Sequence, residues 1–275
     1  MFSPYYAWAR RRGPADPMNH CALNVALYGR GGKRWALTER GRAAVERAPH
    51  RLRIGPSALA WDGAALTIDI DEITAPIPSR LRGTVRITPA AIETRVRTLD
   101  AAGRHRWSPI APCARAEVAL QGRRWSGPAY FDTNEGDAPL EADFSEWHWC
   151  RAPLRDGTAV LYEVTRRDGS ALSLAMRYAA SGGVADIDPP PAANLPRTRW
   201  GVSRPTRADG AVRVVRTLED APFYARSVLA TTMIGEPVTA IHESLSLDRF
   251  AAPWVQAMLP FRIPRRRRPG SGPIG

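Results

Sequence analysis

Apolar residues in this chain recur at every second position far more than at every third or fourth. In Leu66–Ile73 (LTIDIDEI), Leu66, Ile68 and Ile70 alternate with Thr67, Asp69 and Asp71, the spacing of a strand with one face in a core and the other in water. GTVRIT repeats the pattern with Val85 and Ile87. Spread between such runs are 25 prolines and 22 glycines, which interrupt helices by removing a donor or by adding backbone freedom. Only two short stretches, residues 39–46 and 250–258, keep enough helix formers to predict helices. TAVLYEVTRRDGSALSLAMRY predicts a hairpin joined at Asp168 and Gly169, a dipeptide that tolerates the positive φ of a type I′ turn. SVLATTMIGEPVTAIHESLSL predicts a second, turning at residues 235–237. Many short strands without crossover helices predict an all-β, antiparallel sandwich or barrel.

Turn-like segments at residues 99–107 and 121–127 and the proline-rich run 186–196 punctuate the chain. A split near residue 122 gives two halves of barrel size, residues 1–122 and 123–263. The remaining residues, 264–275 (PRRRRPGSGPIG), have the composition of a disordered basic tail.

No run of about 18 apolar residues exists to span a bilayer, and MFSPYYAWARRRG lacks the apolar centre of a signal peptide. A cytoplasmic protein is the expectation. Three cysteines without CxxC spacing and five histidines without HxxxH or HxH spacing predict neither a disulfide framework nor a metal site. The net charge of +12 calls for an anionic partner, either nucleic acid or the headgroups of a membrane. A nucleic-acid sheet needs arginines interleaved with aromatics on one face; here they are scattered along the whole chain, so no nucleic acid is expected.

Chemistry concentrates in residues 130–149, YFDTNEGDAPLEADFSEWHW. Asp132 follows Tyr130 and Phe131, and a Gly-bearing acidic loop leads to Trp147, His148 and Trp149. A carboxylate among so many rings is either solvated at a loop tip or desolvated in a pocket, where its pKa rises and it becomes a general acid. Upstream, His105 and Trp107 stand two apart in HRW, as do Tyr130 and Asp132 in YFD, so each pair shares a side if extended. Facing one cavity, the four would supply a carboxyl, an imidazole, an indole face and a phenol. The acidic run 134–143 lacks the alternating ligands of a calcium loop and is read as a loop near the site entrance.

FSPYYAWARRRG, NHCALNVALYG, RWALTERGR, YFDTNEGDAPLEADFSEWHW and DAPFYARS resemble stretches of the acyclic carotenoid 1,2-hydratases, also called hydroxyneurosporene synthases. The resemblance runs from Phe2 to about Arg268. It implies two tandem lipocalin-like antiparallel β-barrels, and catalytic residues in an HxW pair and a later YxD pair, which match His105, Trp107, Tyr130 and Asp132. It also implies water addition to the terminal C1=C2 bond of an acyclic carotenoid such as neurosporene or lycopene, without a cofactor. In that reading Asp132 protonates C2, with His105 as its hydrogen-bond partner. Trp107 steadies the tertiary cation at C1 by about 2 kcal/mol, and Tyr130 orients the water or shuttles its proton. His148 receives no assignment from the resemblance. Because the substrate lives in lipid, the arginines at 265–268 and Tyr5, Tyr6 and Trp8 are expected to hold the protein peripherally on an anionic inner or photosynthetic membrane. The alternative function is a non-catalytic lipocalin-like carrier of carotenoid or other lipid.

Overall fold

The structure is a computed structural model that describes residues 2–29 and 32–266. Most of those residues lie in antiparallel strands, so the chain is all-β. It divides into two compact units: residues 1–88, 116–127 and 256–275 form the first, and residues 89–115 and 128–255 the second.

The first unit carries the hairpin Asn24–Gly29/Gly32–Leu37 and a meander through Val45–Ala48, Arg51–Ile54, Ser57–Trp61, Leu66–Ile73 and Arg80–Pro89, each strand antiparallel to the next. Alternation behaves as read: Ile70 packs with Ala36, Leu81 and Leu120, and Ile68 packs against that cluster. Asp71 points away to pair with Arg80. Gly83 allows a close strand approach, since a Cβ there would lie 2.1 Å from the Ala119 carbonyl oxygen.

The helix expected at residues 39–46 does not form. Glu39–Arg40 pairs in parallel with Arg265–Arg266, a single 3-10 turn spans Arg42–Ala44, and Val45–Ala48 is a strand. Burial of charge decides this. Arg40 donates to buried Glu72 at 2.7 Å, and Glu39 accepts from Ser3 and Arg265. Unpaired, such groups would cost several kcal/mol each, far more than helix propensity returns. Of the expected tail, residues 267–275 lie outside the described residues.

The second unit is built on a seven-stranded antiparallel sheet in the order Val184–Asp186, Ala171–Ala179, Gly157–Arg166, Phe144–Leu154, Glu236–Ser246, Tyr224–Met233 and Arg213–Asp220. Phe144–Leu154 is its middle strand. The Asp168–Gly169 hairpin is present, but only Gly169 has positive φ. Gly169 N–H bonds the Arg166 carbonyl and Arg166 N–H bonds the Ser170 carbonyl, which is a type I turn closed by a left-handed glycine rather than type I′. The type I′ geometry occurs in the other hairpin, where Ile234 (φ 52°) and Gly235 (φ 73°) turn the chain and Pro237 already lies in the strand. Helices Leu247–Ala251 and Pro253–Arg262 cover the helix expected at 250–258. They are separate because Ala252 precedes a proline and is extended, with ψ 134°.

No described ladder joins the first strand of either sheet to its last. Alternation specifies a strand and its inward face; closure depends on stagger between distant strands, which a local pattern does not carry.

Candidate active site

Strands His105–Leu120 and Arg123–Gly136 are neighbours in the ladder order, and their residues 105–115 and 128–136 belong to the second unit. Trp107 and Asp132 therefore come from adjacent strands. Trp107 donates its indole N–H to Asp132 Oδ2 at 2.7 Å, and the Tyr130 hydroxyl donates to the same oxygen at 3.0 Å. Trp107 is fully buried. Its ring lies 4.7 Å from that of Tyr162, while the Tyr130 ring lies 5.1 Å from Trp149.

The seven-stranded sheet supplies the rest of this surround. Trp149 stands directly opposite Tyr162 on one side and Glu243 on the other, so all three point to one face of the sheet. Trp147, two residues before Trp149, shares that face and packs edge-on against Tyr162 at 5.7 Å. Arg151, two residues after, holds its guanidinium 5.8 Å from the Tyr130 ring centre. Glu243 is paired with Arg226 at 2.7 Å. Tyr162 donates its hydroxyl to Asn134 Oδ1 at 2.6 Å, and Asn134 is the next residue after Asp132 on the same side of its strand.

Burial pushes the Asp132 carboxyl above the usual carboxylate range; the Trp107 and Tyr130 donors pull against it, and the negative charge of Glu243 adds to the rise. Burial and the adjacent Asp132 carboxylate hold the Tyr130 phenol well above its ordinary value, so it stays a donor. The Tyr162 phenol is raised in the same way, chiefly by burial. Burial lowers the Arg151 guanidinium. A carboxyl with this environment keeps its proton to higher pH than a solvated one and, once ionised, has two donors waiting for its charge.

His105 sits elsewhere than expected. Its Nε2 is 2.7 Å from Asp143 Oδ2, its backbone N–H bonds Asp100 Oδ1 at 2.7 Å, and its ring meets Phe144 edge-on at 4.9 Å. The partners of Asp132 are Trp107 and Tyr130, and His105 is not among them. Arg104 also pairs with Asp143, and Arg106 donates to Asp137 at 3.1 Å. Residues 104–106 thus fasten the acidic run, which is a loop only over residues 137–139, because residues 134–136 end the strand Arg123–Gly136 and Leu140–Asp143 is a helical turn. Gly136 gives that loop room, because a Cβ there would fall 2.9 Å from His105 Nδ1. His148 points to the opposite face of the sheet from Trp147 and Trp149 and faces Ser244 Oγ at 3.0 Å. Among the described residues, no three His, Cys, Asp or Glu side chains gather as a metal ion would require.

Sequence reading missed Asn134, Tyr162, Arg151 and Glu243 as members of this surround. Asn134 was findable, since it continues the Tyr130, Asp132 alternation. Tyr162 and Glu243 carry no local signal, because strand pairing brings them in from 13 and 94 residues beyond Trp149.

The whole of this geometry lies within a chain that matches a family model. Residues 1–270 fit the model described as carotenoid hydratase CrtC. A protein named acyclic carotenoid 1,2-hydratase from Thiocapsa roseopersicina is 60% identical over 270 residues, covering 96% of this chain and 67% of that one. The protein of the same name from Cereibacter sphaeroides is 47% identical, over 97% of this chain and 95% of that one. In fold alone, the chain is similar to a Nitrosomonas europaea crystal structure provisionally assigned as AttH, with a TM-score of 0.55 and 15% identity over 82% of this chain and 80% of that one. With a match this long, the chain belongs to the carotenoid hydratase family.

Proposed function

We propose that this protein is a hydro-lyase of carotenoid biosynthesis that adds water across the terminal C1=C2 bond of an acyclic carotenoid such as neurosporene or lycopene, giving a tertiary 1-hydroxy product. The observation that carries this reading is the buried carboxyl of Asp132 gripped by Trp107 and Tyr130. An isolated alkene offers no polar handle, so the costly step is protonation of C2 to leave a tertiary cation at C1. Asp132 gives up that proton. The Trp107 and Tyr130 donors then stabilise the carboxylate, each charge-assisted bond contributing about 1.5–3 kcal/mol. The same carboxylate offsets the positive charge at C1, and the surrounding rings of Trp107, Trp149 and Tyr162 offer π faces to it. Hydration leaves the overall oxidation state unchanged, so these groups suffice without a cofactor. His105 joins this set as a positioning residue that acts through Asp143, the last residue of the helical turn Leu140–Asp143.

We read each unit as a lipocalin-like module, a reading supported by the antiparallel strands of both. Peripheral attachment to the cytoplasmic side of the inner or photosynthetic membrane belongs to the same proposal. Helix Pro253–Arg262 turns Trp254, Met258 and Phe261 to solvent, Phe261 being 77% exposed. Residues 249–275 contain six arginines and no acidic residue; Arg265 is taken up by Glu39, and each of the others near an anionic surface contributes about 1 kcal/mol. Trp254→Glu with Phe261→Glu should release the protein from anionic liposomes at low salt; undiminished co-sedimentation would refute the attachment.

The activity is tested by incubating the purified protein with lycopene micelles in water labelled with oxygen-18. Label should appear in a tertiary hydroxyl of the product. Binding of lycopene without any labelled alcohol would instead identify a carrier.

A further inference from the structure

Protonation at C2 is only half of a hydration, and the water has to be waiting on C1 before the cation reverts. We infer that Asn134, held in place by Tyr162, binds the attacking water. This inference rests on the hydratase reading above and adds the second reactant to it.

Three observations converge on Asn134. It lies on the same side of its strand as Asp132 and two residues further on, a step of roughly 7 Å along the strand. A donor about 3 Å from C2 and a nucleophile about 3 Å from the adjacent C1 need a spacing of that order. Its burial differs from that of its neighbour, because Asp132 is mostly enclosed while Asn134 is exposed. The run from Tyr130 through Asp132 to Asn134 thus leads from the enclosed end of the site toward solvent, the direction from which water must come.

The carboxamide is also fixed. Tyr162, only 2% exposed, donates to Asn134 Oδ1 at 2.6 Å, and its ring is wedged between Trp107 at 4.7 Å and Trp147 at 5.7 Å. Tyr162 is therefore packed by its ring against the indole that holds the acid and tied by its hydroxyl to Asn134. The Asn134 side chain makes no other hydrogen bond among the described residues. Its Nδ2–H groups and the second lone pair of Oδ1 are left to orient one water molecule.

The step balances without a further reactant. The Asp132 O–H bond breaks, and its proton forms a C–H bond at C2 with the alkene π electrons. The water on Asn134 donates a lone pair to C1, forming the C–O bond. The resulting oxonium proton returns to the Asp132 carboxylate, which restores the acid. Asn134 touches the reacting water; Tyr162 acts through Asn134 and is a positioning residue.

The test separates capture from protonation. In deuterium oxide the acid delivers a deuteron to C2. A cation that is not captured reverts by losing the original hydrogen, which leaves deuterium on the vinylic carbon of recovered substrate. Wild type should give alcohol with little exchange. Asn134→Leu, a change at an exposed position, should lower alcohol formation at least tenfold while exchange into recovered lycopene rises above the wild-type level. Tyr162→Phe, which keeps the ring and removes the hydroxyl, should shift the same ratio by a smaller factor. Alcohol and exchange falling together in both variants, or alcohol unchanged in both, would overturn the role of Asn134. Failure of the underlying reading looks different: Asp132→Asn would then still form alcohol or still exchange.

Discussion

The two faces of the seven-stranded sheet each bury a titratable group, and they use it in opposite ways. On the face shared by Trp147, Trp149, Tyr162 and Glu243 lies Asp132, with two donors on one oxygen. On the other face lies His242, opposite Cys150 on one side and Ser227 on the other. Around it an apolar cluster is built from Cys150, Leu161, Leu229 and Ala240. His242 donates from Nε2 to the Pro205 carbonyl at 2.9 Å, and its buried Nδ1 has no hydrogen-bond partner among the described residues. Burial pushes His242 down to about 3 and the Cys150 thiol up to about 12.

Burial favours the neutral form in both places, with different chemical consequences. A neutral carboxyl is the proton-bearing state, so raising its pKa creates an acid that persists toward neutral pH. A neutral imidazole held near 3 neither gains a proton at neutral pH nor gives up its N–H readily. Ring surface and burial alone therefore do not make a proton donor. What distinguishes the Asp132 face is a carboxyl whose conjugate base is met by fixed N–H and O–H groups.

The largest expected effect breaks the comparison at Asp132. Asp132→Asn keeps an oxygen for Trp107 and Tyr130 and removes the transferable proton, so hydration should fall by at least a thousandfold, about 4 kcal/mol of barrier. The raised folded-state pKa of Asp132 means that its stabilising share is complete below the unfolded value near 3.9 and is lost as pH rises through the folded value. The asparagine variant has nothing to lose in that window. Its melting temperature should gain on wild type as pH rises from about 4 to above the folded pKa, as followed by calorimetry. Activity of wild type should decline over the same upper range, where the acid ionises. Near-normal turnover by the variant would remove Asp132 from the acid role.

A smaller effect sharpens the comparison at the donors. Trp107→Phe keeps most of the ring against Tyr162 and removes the N–H that grips Asp132. Loss of one bond to a charged group should reduce kcat by about 10- to 150-fold, the equivalent of 1.5–3 kcal/mol. Because the carboxylate develops only as the proton leaves, KM for micellar lycopene should change little. A variant that raised KM and left kcat intact would assign Trp107 to substrate packing alone.

How much of this was legible beforehand follows from the range of each signal. Two-residue spacing correctly put Tyr130 with Asp132 and placed LTIDIDEI half in a core, because alternation is a property of a single strand. It did not identify Trp107, rather than His105, as the second hydrogen-bond partner of Asp132. His105 and Trp107 share a side, and only the register against the neighbouring strand decides that Trp107 reaches the carboxyl and that His105 reaches Asp143. Residues 39–46 were misread because helix propensity is worth tenths of a kcal/mol per residue, whereas the buried pairing of Glu39 and Arg40 is set by groups as distant in sequence as Arg265 and Glu72. Tyr162 and Glu243 were invisible for the same reason. Each owes its place to a cross-strand partner that no local pattern names.

The smallest expected effect on activity falls on the opposite face and tests the contrast from the other side. His242→Gln keeps a side-chain N–H for the Pro205 carbonyl and leaves an acceptor where Nδ1 was. Hydration at pH 7 should stay within about twofold of wild type, since the residue lies across the sheet from Asp132. Its signature is acid stability. With a folded-state pKa near 3 against about 6.5 unfolded, His242 contributes stability that is complete above 6.5. That contribution drains away as pH falls toward 3, because the unfolded chain takes up a proton that the folded one refuses. Across that window the loss is on the order of several kcal/mol, so urea midpoints of wild type should fall between pH 6.5 and 4 more steeply than those of the variant. If hydration collapsed in a folded His242→Gln protein, the two faces would be working as one site, and a neutral imidazole would have to be given a place in the proton path.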